Sequence, residues 1–528
     1  MVAASELNYN TGASATQMAQ TIFGDGVTVL GATYSGSSYS SATYSGGDSI
    51  APGVTPGDTG VILSTGAATW FTNSNGQSNQ STSTGYNSGG ANGQADFNAI
   101  AGAQTYDASY LDVTFIPTGD VMTMQFVFSS DEFPEYSNSL YNDVVGVWIN
   151  GTHVPLSVTG DATAVGGVNQ VDNVNLYNDN TSDQFNTEMD GFTVTMTLTI
   201  PVMSGVPNAI RIGIADTSDS SYDSNLLIAG DSLQTTLVAI DDSLTMGMTG
   251  TKNIDVLGND VNATTGSLQI THVNGVAISV GGSVTLQTGQ TVTLLADGTL
   301  DIAGDADEET VSFTYEVEAV DGSGNTLQTD VGFVTVDVVP CFVAGTLIST
   351  PEGDVAVENL KEGDMVLTMD NGPKELRWVG QREVPAVGAM APVRIAADAF
   401  GDHDTILVSP QHRVLVHDYL TNMLFGEDEV LVAAKDLING TSVQQVEGGS
   451  VTYVHILFDE HQVVWSGGLA TESFLPGPQT HKLFEKDIVD EICALFPELN
   501  RITGEGYSPA ARRTLRGYEA RLLLTDAA

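Results

Sequence analysis

Cys341 opens the stretch CFVAGTLISTPEG, residues 341–353, and is one of only two cysteines in 528 residues. A GDMVLT segment follows at residues 363–368, SPQHRVLV at 409–416 and VHILFDEHQVVW at 454–465. A thiolate that attacks a carbonyl needs a cysteine, a nearby proton carrier and donors for the developing oxyanion. Cys341 can supply the first, and the imidazoles of His412 and His461 can move protons near neutral pH. Asp459 lies close enough in the chain to orient a ring. A solitary cysteine is ordinarily a small buried hydrophobe, and Cys493, inside the apolar run IVDEICALF, is read that way. His403 and His417 are read as polar loop or rim residues.

Cys341 has company that Cys493 lacks. The four blocks, in this order, resemble the Hint domain shared by hedgehog autoprocessing domains and inteins, over residues 339–477. The resemblance implies that the chain cuts itself. It implies that Cys341 attacks the carbonyl of Pro340 and converts the Pro340–Cys341 peptide into a thioester. Ser409 and His412 match the family's T-x-x-H motif, which polarises and protonates the scissile amide. His461 matches the family's later histidine, and His455 falls in the column where inteins often carry Asp or Cys. The expected catalytic set is Cys341, Ser409, His412, His455, Asp459 and His461, acting on its own chain with no cofactor required.

Two features depart from the splicing pattern. Inteins end in His-Asn before Cys, Ser or Thr, because Asn cyclisation releases the downstream segment. The matching stretch here reads SGGLATESFLPG, residues 466–477, without His-Asn. The thioester is therefore expected to pass to water, a thiol or an amine, and splicing is disfavoured. Pro340 also places a ring on the acyl side of the scissile bond, which restricts its neighbour and slows an acyl shift. A surface protein whose Hint fold is inactive is the competing expectation.

Composition indicates what is cut off. The net charge is −49, yet residues 1–340 hold only two basic residues, Arg211 and Lys252, against 37 acids. Nucleic acid would be repelled. The opening MVAASELNYNTG is too polar for a secretory signal peptide, and no apolar run is long enough to span a membrane. An exported protein of this kind is expected to use a type I-like route that does not read an N-terminal signal, and to meet cell-surface or matrix partners.

The fold class expected is mainly β, and four segments follow. Residues 1–240 alternate apolar and polar residues in runs such as YLDVTFIP (110–117), VMTMQFVFSS (121–130), VVGVWING (144–151) and AIRIGIAD (209–216), the period of a β-sandwich. The runs TYDASYLDVTFIP, FVFSSDEFPEYSNSLYNDVVGVWING and IADTSDSSYDSNLLIAG resemble the choice-of-anchor L domain of exported bacterial surface proteins. The Ser/Asn/Gly-rich stretch 70–95 is expected to be a mobile loop. Residues 241–338, with VLGND, ADGTL and FTYEVEAVDG, resemble a cadherin-like or VCBS-type sandwich, and 339–477 is the Hint segment. Residues 478–528 bring the first helix signals, HKLFEKDIVDEICALF (481–496) and a second helix with Ser508 as N-cap and Pro509 at N1.

Acids cluster in the first segment: Asp131, Glu132, Glu135, Asp143, Asp216, Asp219 and Asp223. Hard oxygen ligands at loop ends suit Ca²⁺. Solvated loops of an acid-rich protein are the alternative. No Walker A, HExxH, GxSxG or paired CxxC motif is present to suggest other chemistry.

Overall fold

The computed structural model describes residues 2–475, except 82, 138–140, 157, 159–162, 246–250, 305–310, 338–340 and 387–390. Beyond 475 it describes 508, 510–515, 520 and 523. Pro340, Cys493 and the helix expected over 481–496 therefore lie outside the described residues. The chain is mainly β and forms two compact units, the first holding Met1–Asp242, Asn253–Ile302 and Val311–Thr335. Among the described residues, no helix is long and apolar enough to cross a membrane.

In the first unit, period-two alternation builds two facing sheets. Strands Thr105–Pro117, Asn208–Thr217 and Val144–Ile149 lie side by side, so Val113, Ile210 and Ile149 form one cross-strand row, and Leu111, Ile212 and Val147 the next. These side chains share a core with Met122, Met124, Phe126 and Phe128 of strand Val121–Ser130 in the other sheet. Residues two apart on a strand point to one face. Each side chain buried this way contributes roughly 1.5–3 kcal/mol.

The segment after Ile240 adds two further small sheets, with Ser267–Val273 antiparallel to Val311–Val320. Its stretches Asn253–Ile302 and Val311–Thr335 are packed into the same unit. Gln125 donates to the Asp330 carboxylate at 3.1 Å, and Phe333 joins the core of the first sheets.

The second unit also has two sheets. In the first, the short strand Phe342–Val343 lies between Ile406–Val408 and Ser450–Leu457; Phe342 is opposite Val408 on one side and Val454 on the other. In the second, Arg413–Val416 lies between Leu469–Glu472 and Val430–Ala433. Their common core includes Phe342, Val408, Val414, Val432, Val454 and Ile456.

The described part of the tail corrects the expected start of the last helix. Ser508 caps no helix, because its Oγ accepts the His461 N–H at 2.7 Å. Arg513–Thr514 is a strand parallel to Val430–Ala433, and Arg512 pairs with Asp370 and Glu429, both at 2.7 Å. Tertiary partners outcompete the local capping preference here.

Candidate active site

Three segments meet at Cys341. Because Phe342 is opposite both Val408 and Val454, and both pairings are antiparallel, the residue before Phe342 faces the residues after Val408 and Val454. Those are Ser409 and His455. The thiol of Cys341 lies 3.4 Å from His455 Nε2. Ser409 grips the other side: the Cys341 N–H donates to Ser409 Oγ at 2.8 Å, and the Ser409 N–H donates to the Cys341 carbonyl at 2.9 Å. All three residues are buried, and Cys341 packs among Val343, Ala386, Val451 and Tyr453.

His412 follows Ser409 in one tight turn, with its N–H donated to the Ser409 carbonyl at 3.0 Å. Its ring lies against Phe342, centroids 4.3 Å apart. Among the described residues neither ring nitrogen has a hydrogen-bond partner, although the side chain is buried. Burial pushes the imidazole down to about 4, helped by Arg413 and opposed by Glu472. His412 is thus neutral at neutral pH, and its ring offers one free N–H donor and one free acceptor nitrogen.

His455 is held from behind. Strand Trp378–Pro385 runs antiparallel to the His455 strand and sets Gly380 opposite His455. A Cβ on Gly380 would stand 2.1 Å from the Trp378 ring, so only glycine lets that indole fold across the strand beside His455. Phe474 closes the other side, edge-on at 5.7 Å.

The structure does not bring His461 or Asp459 to Cys341. His461 Nδ1 accepts the Ala511 N–H at 2.9 Å, which puts the ring proton on Nε2, 3.1 Å from the Ser473 carbonyl and 3.4 Å from Glu472. Both nitrogens are occupied by structural partners. Asp459 is exposed and pairs with Arg377 at 3.0 Å. Of the two later histidines, His455 is the one at the thiol.

Glu472 was not singled out from the sequence. It is fully buried, accepts the Arg413 N–H at 3.0 Å and pairs with that guanidinium at 3.2 Å. Burial alone would raise its carboxyl, but Arg413 and His461 outweigh burial and hold it at about 2. Its one sequence signal is an acid inside the otherwise apolar and small run VVWSGGLATESF.

The acids of the first unit do different work. Asp131, Glu132, Asp143, Asp216 and Asp223 are buried rather than solvated; Asp219 is half-buried and Glu135 exposed. Thr84 N–H donates to Asp131, and Tyr86 N–H donates to Asp223 at 2.8 Å. Ser88 and Gly90 donate to Asp107 at 3.1 and 2.9 Å, and Asn79 and Gln80 to Glu188 at 3.1 and 3.2 Å. The stretch expected to be mobile is thus tied down by a row of carboxylates. Burial lifts Asp131 to about 8 and Asp223 to about 7, and raises Asp143 and Asp216. Among the described residues, no three His, Cys, Asp or Glu side chains are grouped to hold a metal ion.

Comparison with known proteins agrees with this division of the chain. Residues 340–478 match the Hint domain family and residues 6–234 the choice-of-anchor L domain family. No curated protein sequence matches. Among solved structures, the gp41-1 intein is similar at 14% identity, over 25% of this chain and 98% of that one, with a TM-score of 0.17. The MchDnaB-1 intein is similar at 15% identity, over 25% and 98%, with a TM-score of 0.18. The chain carries a choice-of-anchor L domain at residues 6–234 and a Hint domain at residues 340–478.

Proposed function

We propose that this is an exported surface protein whose Hint domain cleaves its own chain between Pro340 and Cys341. His455 takes the thiol proton as Cys341 Sγ attacks the Pro340 carbonyl. A C–S bond forms, the C–N bond breaks, and the Cys341 nitrogen leaves with a proton relayed through His412 or the Ser409 hydroxyl. The resulting thioester passes to water, a thiol or an amine. The cadherin-like segment serves as a spacer in the released front half, and export uses a route that does not read an N-terminal signal.

One observation carries this reading: Cys341 is gripped through its amide N–H by Ser409 while its thiol meets His455. A residue kept only for packing needs neither contact. The competing reading, an inactive Hint fold in a surface protein, draws on the burial of the thiol and the ring of Pro340. A denaturing gel separates the two. The purified chain should yield fragments 1–340 and 341–528, faster with dithiothreitol, and a Cys341→Ala chain should stay whole. Cleavage there in Cys341→Ala would overturn the mechanism, and an intact wild-type chain in thiol would favour the inactive fold.

A further inference from the structure

A second candidate site lies in the first unit, beside the stretch that the carboxylates tie down. Trp70 is 46% exposed and Tyr39 62% exposed, and the half-buried Tyr86 links them edge-on, with centroids 5.3 Å from Trp70 and 6.2 Å from Tyr39. Three contiguous rings at a surface are unusual in a protein with no partner for them. Trp70 forms one wall of a cavity of about 610 Å³. The other walls are polar: Glu6, Asn75, Ser74, Ser81 and Ser83 all line it.

We propose that this cavity binds a neutral saccharide, with Trp70 as stacking platform and Tyr86 and Tyr39 extending the track for a longer chain. A pyranose offers an apolar C–H face to a ring and a rim of hydroxyls to Ser and Asn side chains, which both donate and accept, and to the Glu6 carboxylate, which accepts. Other ligand classes fit less well. An apolar segment would strand the hydroxyls and amides that line the walls. Phosphates and uronates would meet no cation, because the lining has none, and Arg211 is engaged by Asp96 and Asp112. A quaternary ammonium ligand calls for rings that enclose one point, whereas Trp70 and Tyr39 each meet Tyr86 edge-on, and the Glu188 carboxylate is taken up by Asn73, Asn79 and Gln80. The walls are also fixed in advance, since Asp131 and Asp223 hold the Thr84 and Tyr86 amides. Preorganisation of this kind lowers the entropy cost of binding.

The test is affinity electrophoresis of the full chain, in a Cys341→Ala background so that it stays whole. Native gels would contain dextran, mannan, laminarin or xylan, with alginate as the anionic arm and choline as a soluble competitor. At least one neutral glycan should retard the protein, and Trp70→Ala should weaken that retardation roughly tenfold. Asn75→Ala, on an exposed loop position, should weaken it with an unchanged melting temperature. Tyr39→Ala should weaken binding of the polysaccharide more than of the matching disaccharide. No retardation by any neutral glycan, retention only by alginate, release only by choline, or equal retention of Trp70→Ala would each overturn the proposal.

Discussion

Ser409 holds Cys341 by both of its backbone polar groups, accepting the N–H at 2.8 Å and donating to the carbonyl at 2.9 Å. The pair is buried, so the Cys341 amide nitrogen sits in a defined place, in contact with a hydroxyl and next to a histidine turn. Geometry of this precision is what converts a sluggish acyl shift into a positioned one.

Removing the Ser409 hydroxyl should therefore be costly in rate. A buried N–H left without its acceptor costs about 1–3 kcal/mol, or roughly 5- to 150-fold in rate if the cost falls on the transition state. Ser409→Ala should slow thiol-induced cleavage by that factor, and Ser409→Thr should restore most of it. Equal rates in wild type and Ser409→Ala, followed on a timed gel, would remove the hydroxyl from the mechanism.

The three histidines should separate by phenotype. His455→Ala and His412→Ala are each expected to lower the cleavage rate by about 10²–10⁴, the usual worth of a positioned acid or base. His461→Ala removes bonds to Ala511, Ser473 and Glu472 rather than to the thiol. It should lower the melting temperature of the Hint unit while folded molecules still cleave. A His461→Ala protein that melts normally but does not cleave would show that this ring acts on the reaction directly.

The two units should respond to pH in opposite directions. Folding lifts Asp131 to about 8 and Asp223 to about 7, above the ~4 of an unfolded Asp. The folded first unit binds more protons in that window, so this stability is complete below about pH 4 and is lost as pH rises through 7 to 8. In the Hint unit, folding depresses His412 from 6.5 to about 4 and Glu472 from 4.5 to about 2. That stability is complete above about pH 6.5 and is lost as pH falls through 4 and then 2. Hydrogen exchange by mass spectrometry, corrected for intrinsic rates, reads both units in one sample. Glu472→Gln should flatten the acid limb of the Hint unit alone. Parallel pH trends in the two units would contradict the assignment.

Millimolar Ca²⁺ tests which job the acids of the first unit perform. Asp131 and Asp223 bind backbone amides of the 79–90 stretch, so the melting transition of this unit is expected to stay in place when Ca²⁺ is added. An upward shift with Ca²⁺ and none with Mg²⁺ would, by ligand linkage, establish a metal site.

The sequence by itself determined the strands of both large domains and the Ser409–His412 half of the site. Period-two alternation is a local signal, and Ser409 and His412 fall within one turn, so neither depends on distant pairing. It also singled out Cys341, through the order of blocks around it. Which later histidine meets the thiol was decided only in three dimensions. His455 and His461 are six positions apart in one block, and the choice rests on Phe342 pairing with Val454. A slip of one residue in that register would turn His455 to the other face of its sheet. Glu472 was missed for the same reason, since its partner Arg413 comes from another strand. The acids looked like solvated loops or calcium ligands because a sequence gives charge without burial. The fold puts most of them inside, where Asp131 and Asp223 hold backbone amides. Local spacing is written along the chain, whereas strand register and burial are properties of residues far apart in it.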